Sequence, residues 1–295
     1  MDLYYIDLSM LAQELLKPDI ENLKRLLGVL AQPRNHDENP ETLEEIQKFI
    51  ENEWQSLGYR VHHHAFSYNG NTFENLIVDH PRNLSEDPLI IGAHFDAVPG
   101  SPGADDNASG VAVMLEASRI LSQQTPKIPV RFIAFHLEEY GMLGSQAYAR
   151  DLRKNKEGIR GMISLEMVGY TSQEKGSQKL PVLLRPFYPD KGNFIALVGN
   201  TKSKKFLKET RRSFQSVQGL PLEEILIPFQ GWLLPAVRLS DHSSFWDQGY
   251  PSLLVTDTSF FRNPHYHTLR DTVDTLNFEF LSQVTEAVVR LALAK

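Results

Sequence analysis

The chain has 295 residues, 41% of them hydrophobic and 23% charged, which is typical of soluble globular proteins and excludes a disordered, collagen-like or coiled-coil chain. It contains no cysteine, so disulfides, thiolate zinc sites, iron–sulfur clusters and cysteine nucleophiles are excluded as well. The 30 Lys and Arg residues against 37 Asp and Glu give a net charge of −7 without a basic cluster, and we therefore expect no nucleic-acid partner.

The N-terminus lacks the features of a targeting or membrane segment. Asp2, Asp7 and Glu14 interrupt its apolar residues, and the basic flank of a secretory signal is missing. No stretch of the chain approaches the roughly 18 apolar residues of a membrane span. We therefore expect a cytoplasmic protein without membrane contact, or a secreted one if a leader has been trimmed, and a first helical segment at about 10–31.

A second helix and a hairpin are predicted next. Apolar residues recur at helical spacing over 41–57, after a proline and before a glycine, so that both ends of the helix carry suitable signals. Residues 60–68 and 75–80 then have the pattern of strands, and the Asn-Gly-Asn sequence at 69–71 predicts the turn of a hairpin between them.

Three short apolar runs predict the centre of a sheet. Helical patterns separate the runs, as expected for buried strands of a mostly parallel sheet, with the runs at 88–94, 130–135 and 161–165 and the helices at 107–123 and 142–154. Later elements are predicted as strands at 194–198 and 252–256, helices at 202–217 and 277–293, and a long polar loop at 171–193. This alternation predicts a single α/β domain over 1–295, with a mostly parallel mixed central sheet flanked by helices on both faces.

Acidic residues follow each of these three runs, and a histidine ends the first. His94 and Asp96 close the first run, Glu138 and Glu139 the second, and Glu166 the third. The carboxyl ends of parallel strands share one edge of the sheet, which is where open α/β folds bind ligands. We therefore expect these side chains to meet.

Two further segments supply side chains of the same kind. Asp105 and Asp106 precede a predicted helix, and His265 and His267 lie near the end of the chain. A pair of divalent ions needs an imidazole at each end, a bridging carboxylate, and one more carboxylate per ion. The sequence can supply this set as His94, Asp106, Glu139, Glu166 and His267.

One acid must remain free of the metal, because a carboxylate bound to an ion does not also accept a proton from water and pass it to a leaving group. Neighbouring side chains at a strand end point in different directions, so adjacent glutamates can divide these tasks. We expect Glu139 to bind metal and Glu138 to act as the general base. Two imidazole ligands favour zinc over magnesium or calcium.

Four motifs in chain order give the sequence a resemblance to a known family. They are His-x-Asp, Gly-Ala-Asp-Asp-Asn-Ala-Ser-Gly, Glu-Glu and Tyr-His-Thr-x-x-Asp-Thr. Over residues 20–295 the sequence resembles the dinuclear-zinc aminopeptidases of peptidase family 28, which also include glutaminyl cyclases and the transferrin-receptor ectodomain. The resemblance implies the zinc-exopeptidase fold, two zinc ions per chain and hydrolysis of N-terminal peptide bonds.

The resemblance also implies roles for individual residues. It makes His94 and His267 terminal ligands and Asp106 the bridging ligand, and it puts the adjacent glutamates in the base and ligand positions. Asp96 takes the place of an acid that orients the imidazole of His94.

Two positions differ from residues that are common in the family. Glu166 stands where most of the aminopeptidases carry Asp, although related two-metal exopeptidases accept Glu as a ligand. Tyr266 is implied as the donor that stabilises the oxyanion, because the other tyrosine position used in the family is occupied here by Val237.

Other interpretations stay open for several polar residues. Asp105 could bind metal in place of its neighbour or cap the helix that follows, and Asp241 and His242 are expected to cap a segment and line a pocket wall. His136 is expected to be a core histidine that could support the site from behind. The histidines at 62–64 are expected to be surface residues, because an alternating strand sends the middle one to the opposite face.

The sequence favours an aminopeptidase whose partner is a peptide with a free N-terminus, since the carboxylates would stabilise its ammonium group. One alternative is a glutaminyl cyclase-like acyltransferase with one zinc ion, and another is a non-catalytic peptidase-like binding domain, against which the intact ligands and base argue. The preferred side chain and the oligomeric state do not follow from the sequence, because loops such as 171–193 and 225–240 shape the pocket.

Overall fold

Eight strands form the framework of the protein in a computed structural model, which describes residues 17–80, 86–181 and 184–294. The strands are β1 (Val61–Tyr68), β2 (Asn71–Asp79), β3 (Leu89–His94), β4 (Val130–Phe135), β5 (Gly161–Glu166), β6 (Ile195–Asn200), β7 (Leu222–Ile227) and β8 (Ser252–Thr256). They make one mixed sheet in the order β1-β2-β4-β3-β5-β8-β6-β7.

Helices accompany the sheet within these described ranges. They are α1 (Ile20–Leu30), α2 (Pro40–Ser56), α3 (Gly110–Ser122), α4 (Leu143–Lys154), α5 (Lys204–Gln215), α6 (His242–Asp247) and α7 (Phe278–Leu293). Shorter helical turns lie at Ala104–Ser109, Thr201–Ser203, Phe229–Gly231, Pro235–Arg238, Ser259–Phe261 and Val273–Thr275. Helix α1 falls inside the helical segment predicted at 10–31, of which residues 10–16 lie outside the described part of the chain. No described helix combines the length and the apolar character needed to cross a membrane.

The four central strands run in the same direction. Strand β3 pairs in parallel with β4 and β5, and β5 pairs in parallel with β8. The flanking strands β2 and β6 are antiparallel to β4 and β8, respectively, so the sheet is mixed. The predicted α/β class with a mostly parallel central sheet is confirmed, and the carboxyl ends of β3, β4, β5 and β8 lie at one edge.

Helices cover both faces of this sheet, which is why its central strands are apolar nearly throughout. Strand β4 illustrates the arrangement: Phe132 belongs to the core beneath α1, α2, α3, α5 and α7, together with Trp54. The next residue, Ile133, belongs to the core on the opposite face, where Tyr148 of α4 and Phe245 of α6 pack. Both faces are therefore buried, and the polar site residues gather at the edge of the sheet.

The hairpin is tighter than predicted. Strand β2 begins at Asn71 and not at residue 75, because Tyr68 already pairs with Asn71 across a two-residue turn. The turn residues Asn69 and Gly70 have positive φ angles of 49° and 80°, which Asn-Gly adopts readily in hairpin turns.

The edge strand β7 was not predicted. Residues 225–240 were expected to be a loop, but the structure extends a strand from Leu222 to Ile227 alongside β6. Glu223 and Glu224 interrupt the apolar pattern that would have identified this strand, and only its last residue is fully buried. An edge strand with one open side tolerates such residues.

Candidate metal centre

The five predicted ligands converge where the central strands end. His94 is the last residue of β3 and Glu166 is the last residue of β5. Asp106 lies in the turn before α3, Glu139 lies in the loop after β4, and His267 lies in the loop between β8 and α7. Residues that are far apart in the sequence are thus brought together at one edge of the sheet.

The five side chains form two groups that share Asp106. On one side, Asp106 Oδ1 lies 3.4 Å from His94 Nε2, which lies 3.3 Å from Glu166 Oε2. On the other side, Asp106 Oδ2 lies 3.1 Å from His267 Nε2, which lies 3.6 Å from Glu139 Oε2. Asp106 therefore turns one oxygen atom towards each group, as a bridging carboxylate does.

Both groups suit a metal ion. His94 Nε2 and Glu139 Oε1 are buried and make no hydrogen bond within the described residues, which is costly unless another partner binds them. Imidazole nitrogen and carboxylate oxygen are common zinc ligands, and around four-coordinate zinc neighbouring ligand atoms lie roughly 3.4 Å apart. The distances of 3.1 to 3.6 Å between the donor atoms of these two groups match that spacing.

Asp96 connects the end of β3 to the residues that follow β4. Its carboxylate accepts hydrogen bonds from the backbone N–H groups of Glu138 and Glu139, at 3.0 and 3.1 Å. Its Oδ1 also lies 3.5 Å from Nδ1 of His94. Burial opposes the charge of this carboxylate, but the contact with His94 and the bond from Glu138 outweigh it and lower the pKa of Asp96.

Glu138 lies beside the two groups and is outside both. Its Oε2 is 3.9 Å from His94 Nε2, and only 11% of its side chain is exposed. Burial raises the pKa of Glu138 well above its usual value, and the negative charges of Glu166 and Glu139 add to the effect against the opposing charge of His94. A carboxyl group with increased proton affinity next to the ligands is suited to proton transfer.

The backbone has an unusual conformation at three residues that lie in the site or directly next to it. Leu137, Met167 and His267 have positive φ angles of 57°, 48° and 57°. Residues other than glycine rarely adopt this conformation, and it is concentrated at functional sites. The turn at Leu137 directly precedes Glu138, and the turn at Met167 directly follows Glu166. The conformation of these residues thus sets the direction of the acidic side chains.

Two residues without a predicted role hold the turn that carries Asp106. Asp271 accepts hydrogen bonds from the backbone N–H groups of Asp105 and Asp106, at 2.9 and 3.0 Å. The guanidinium group of the buried Arg34 donates to the backbone carbonyl oxygens of Phe95, Pro102 and Gly103. Asp271 belongs to the last of the four sequence motifs, and that motif could have identified it. No sequence pattern indicated a role for Arg34.

Tyr266 lies against the second ligand group. Its ring stacks on that of His267, with centroids 3.7 Å apart and an angle of 21° between the planes. Burial raises the pKa of Tyr266 above its usual value, and the charges of Asp106 and Glu166 raise it further. The hydroxyl group therefore stays protonated and able to donate a hydrogen bond near the acids.

The two aspartates with open interpretations belong to neither ligand group. Asp105 accepts hydrogen bonds from Gly169 N at 2.9 Å and from Asn263 Nδ2 at 2.7 Å, and it belongs to neither group. Asp241 precedes α6, but its side chain makes no capping hydrogen bond, so the expected capping role is wrong for this residue.

Three of the other histidines make contacts outside the ligand groups. His136 is buried between two phenylalanine rings. His63 Nδ1 lies 2.8 Å from Glu74, and His64 Nε2 lies 3.1 Å from Asp151, so these strand residues pair with surface acids. Neither histidine belongs to a metal-binding group among the residues that the structure describes.

The chain is similar to known proteins of one peptidase family. A profile of peptidase family M28 matches residues 75–292. The Escherichia coli K12 protein YfbL is 34% identical over 287 residues, which covers 92% of this chain and 86% of that protein. Aminopeptidase YwaD of Bacillus subtilis 168 is 31% identical over 229 residues, covering 75% of this chain but only 44% of that enzyme.

The chain is also similar to solved structures of aminopeptidases. The chain resembles BSAP, a zinc aminopeptidase from Bacillus subtilis, with 30% identity and a TM-score of 0.57 over 76% of this chain and 50% of that one. The Legionella pneumophila LapA aminopeptidase has the same fold, with a TM-score of 0.75 over 99% of this chain and 76% of that one at 20% identity.

Proposed function

This chain belongs to peptidase family M28 and is a metallopeptidase, and we propose that it is an aminopeptidase that acts on peptides with a free N-terminus and uses two zinc ions. The observation that carries the proposal is the pair of ligand groups sharing Asp106, with the buried carboxyl group of Glu138 outside both. Relatives that are named aminopeptidases support the same activity.

Each ligand group would hold one ion. His94 and Glu166 would bind the first ion, Glu139 and His267 the second, and Asp106 would bridge the two. Zinc bound there would supply Lewis acidity, which lowers the pKa of water and polarises a carbonyl group. Imidazole in both groups favours zinc over magnesium or calcium, and BSAP is described as a zinc aminopeptidase.

Glu138 would act as the general base. Its carboxylate would accept a proton from the attacking water and return it to the leaving amine. The increased proton affinity that burial gives Glu138 suits both transfers. Asp96 would keep this residue in place through its backbone N–H group and would orient the ring of His94 from the side away from Glu166.

The carboxyl groups at the site would also select for a free amine. Burial and the charges of Glu166 and Glu139 raise the pKa of Glu138, so positive charge nearby would stabilise its ionised form. The α-ammonium group of a peptide supplies this charge, whereas an acylated or internal nitrogen does not. This difference would restrict cleavage to the N-terminal bond.

Blocking the substrate amine tests the function directly. We expect the zinc-loaded protein to hydrolyse leucyl-p-nitroanilide with a kcat/KM roughly 10²-fold or more above that for the N-acetylated substrate, because acetylation removes the positive charge that the carboxylates of the site would attract. Release of p-nitroaniline, followed by absorbance, provides the measurement. Equal rates on the two substrates, or cleavage only within longer N-blocked peptides, would refute an aminopeptidase.

Removing the hydroxyl group of Tyr266 tests the proposed oxyanion donor. We expect Tyr266→Phe to lower kcat by roughly 10²-fold with little change in KM, because the donated hydrogen bond strengthens only as charge develops on the substrate oxygen. The phenylalanine ring preserves the stacking on His267 and with it the ligand position. The control is Tyr250→Phe, which removes a hydroxyl group bonded to the backbone carbonyl of Glu157 outside the centre. An unchanged kcat for Tyr266→Phe would assign the donor role to another group.

A further inference from the structure

An apolar cavity opens beside the candidate metal centre. It extends from Glu166 and Tyr266 to the edge strand β7. Its walls are mostly aliphatic and aromatic side chains, among them Leu184, Phe194, Val198, Ile225, Leu234 and Leu254. A cavity in this position is where the side chain of the N-terminal residue of a substrate would lie.

The register of four strands defines the floor of this cavity. Glu166 of β5 pairs with Thr256 of β8, Thr256 pairs with Ala196 of β6, and Ala196 pairs with Glu223 of β7. Paired residues of neighbouring strands point to the same face, so these four side chains form one row that spans roughly 14 Å. The small side chains in the middle of the row, Thr256 and Ala196, leave the floor of the cavity open. The candidate metal ligand Glu166 lies at one end of the row, and the carboxyl group of Glu223 lies at the other.

Glu223 and Glu224 have different surroundings because side chains alternate along a strand. Glu224 points to the opposite face, where its Oε1 lies 2.9 Å from Arg211 of helix α5. Glu223 points to the cavity, and no donor or cation among the described residues lies within bonding distance of its carboxylate. Burial and the neighbouring Glu224 raise the pKa of Glu223, so a bound cation would stabilise its charge.

We propose that this cavity binds the side chain of the N-terminal residue and that Glu223 recognises a positive charge at its far end, so that peptides beginning with lysine or arginine are preferred substrates. This inference rests on the proposed aminopeptidase function. It goes beyond that function because it assigns the substrate class to one residue outside the metal centre.

The shape of the cavity fits such side chains. Lysine has an aliphatic stem roughly 6 Å long that ends in an ammonium group, and arginine is slightly longer. The stem would lie against the apolar walls while the charged end reaches the carboxylate, as long cationic side chains do at other apolar surfaces. Norleucine would make the same apolar contacts but would offer no positive charge to the carboxylate of Glu223.

The experiment compares substrates that differ only at this charged end. The kcat/KM values for lysyl-, arginyl- and norleucyl-p-nitroanilide are measured for the wild type, Glu223→Gln and Glu224→Gln. We expect the ratio of lysyl to norleucyl substrate to fall roughly 10- to 100-fold in Glu223→Gln, because a hydrogen-bonded charge pair is lost. Glu224→Gln is the matched control and should change the ratio far less, since its side chain faces Arg211.

Binding of free amino acids gives a readout that does not depend on turnover. Calorimetric titration of the zinc-loaded protein should detect tighter binding of L-lysine than of L-norleucine, and Glu223→Gln should abolish the difference. A wild type that cleaves norleucyl substrate as well as lysyl substrate, and binds the two amino acids equally, would overturn the inference while leaving the aminopeptidase function intact. Cleavage of no aminoacyl substrate would refute the proposed function, and the binding ratio would then decide the specificity of the cavity.

Discussion

Replacing Glu138 by glutamine is expected to lower kcat by roughly 10²- to 10⁴-fold, which is the usual contribution of a positioned general base. Glutamine has nearly the shape of glutamate but does not accept the proton of water. The backbone N–H group that Asp96 binds remains, and Glu138 belongs to neither ligand group, so the fold and the metal content should not change. Steady-state kinetics together with elemental analysis of the purified variant provides the measurement.

A matched control separates this effect from a general loss of charge. Glu45→Gln makes the same chemical change at an exposed position of helix α2 and should retain full activity. Glu139→Gln, by contrast, should lose metal as well as activity, because Glu139 lies in the group with His267. If Glu138→Gln hydrolysed peptides at the wild-type rate, or if it lost zinc to the same extent as Glu139→Gln, its role as the general base would be wrong.

The central strands could be predicted because burial on both faces leaves a strong pattern. Strands β3, β4 and β5 are apolar nearly throughout, and helical patterns separate them in the sequence. In such a sheet the strand ends coincide, so a residue that follows one strand lies close to a residue that follows the next. This geometry explains why His94 and Glu166 could be expected to meet although 71 positions separate them.

The supporting contacts could not be predicted because they depend on tertiary structure. Arg34 binds carbonyl oxygens of a loop that lies more than sixty residues later in the chain, and such contacts leave no periodic pattern. The positive φ angles of Leu137 and Met167 were equally hidden, since these residue types usually avoid that conformation. Strand β7 was not predicted because Glu223 interrupts its apolar pattern. The same residue faces the apolar cavity and is the one that we propose to recognise the substrate side chain.

The acidic character of the site provides a physical reason for it to bind cations. Burial raises the pKa values of Glu138, Glu139 and Glu166, and each of these groups is also affected by acidic neighbours. Holding several ionised carboxylates together in a buried site is costly unless positive charge compensates them. Bound cations would therefore stabilise the folded state as well as supply chemistry.

Removal of the metal is accordingly expected to abolish activity and to lower the melting temperature. A chelator should reduce kcat/KM by about 10³-fold or more, because Lewis acidity contributes several kcal/mol to the stabilisation of the transition state. Added zinc should restore activity, and elemental analysis of the restored protein should give two ions per chain, one for each ligand group. Thermal unfolding, measured by circular dichroism with and without the chelator, tests the effect on stability.

The bridging position of Asp106 makes a single substitution decisive. Asp106→Asn should lower the affinity for both ions and reduce activity as far as the chelator does, because each of its oxygen atoms faces a different group. Asp274→Asn, at an exposed position, is the control and should bind two ions. A wild type that binds one ion and cyclises N-terminal glutamine would support the one-zinc acyltransferase instead. A protein whose turnover is unaffected by prolonged chelation that removes all metal would refute the metal-dependent mechanism altogether.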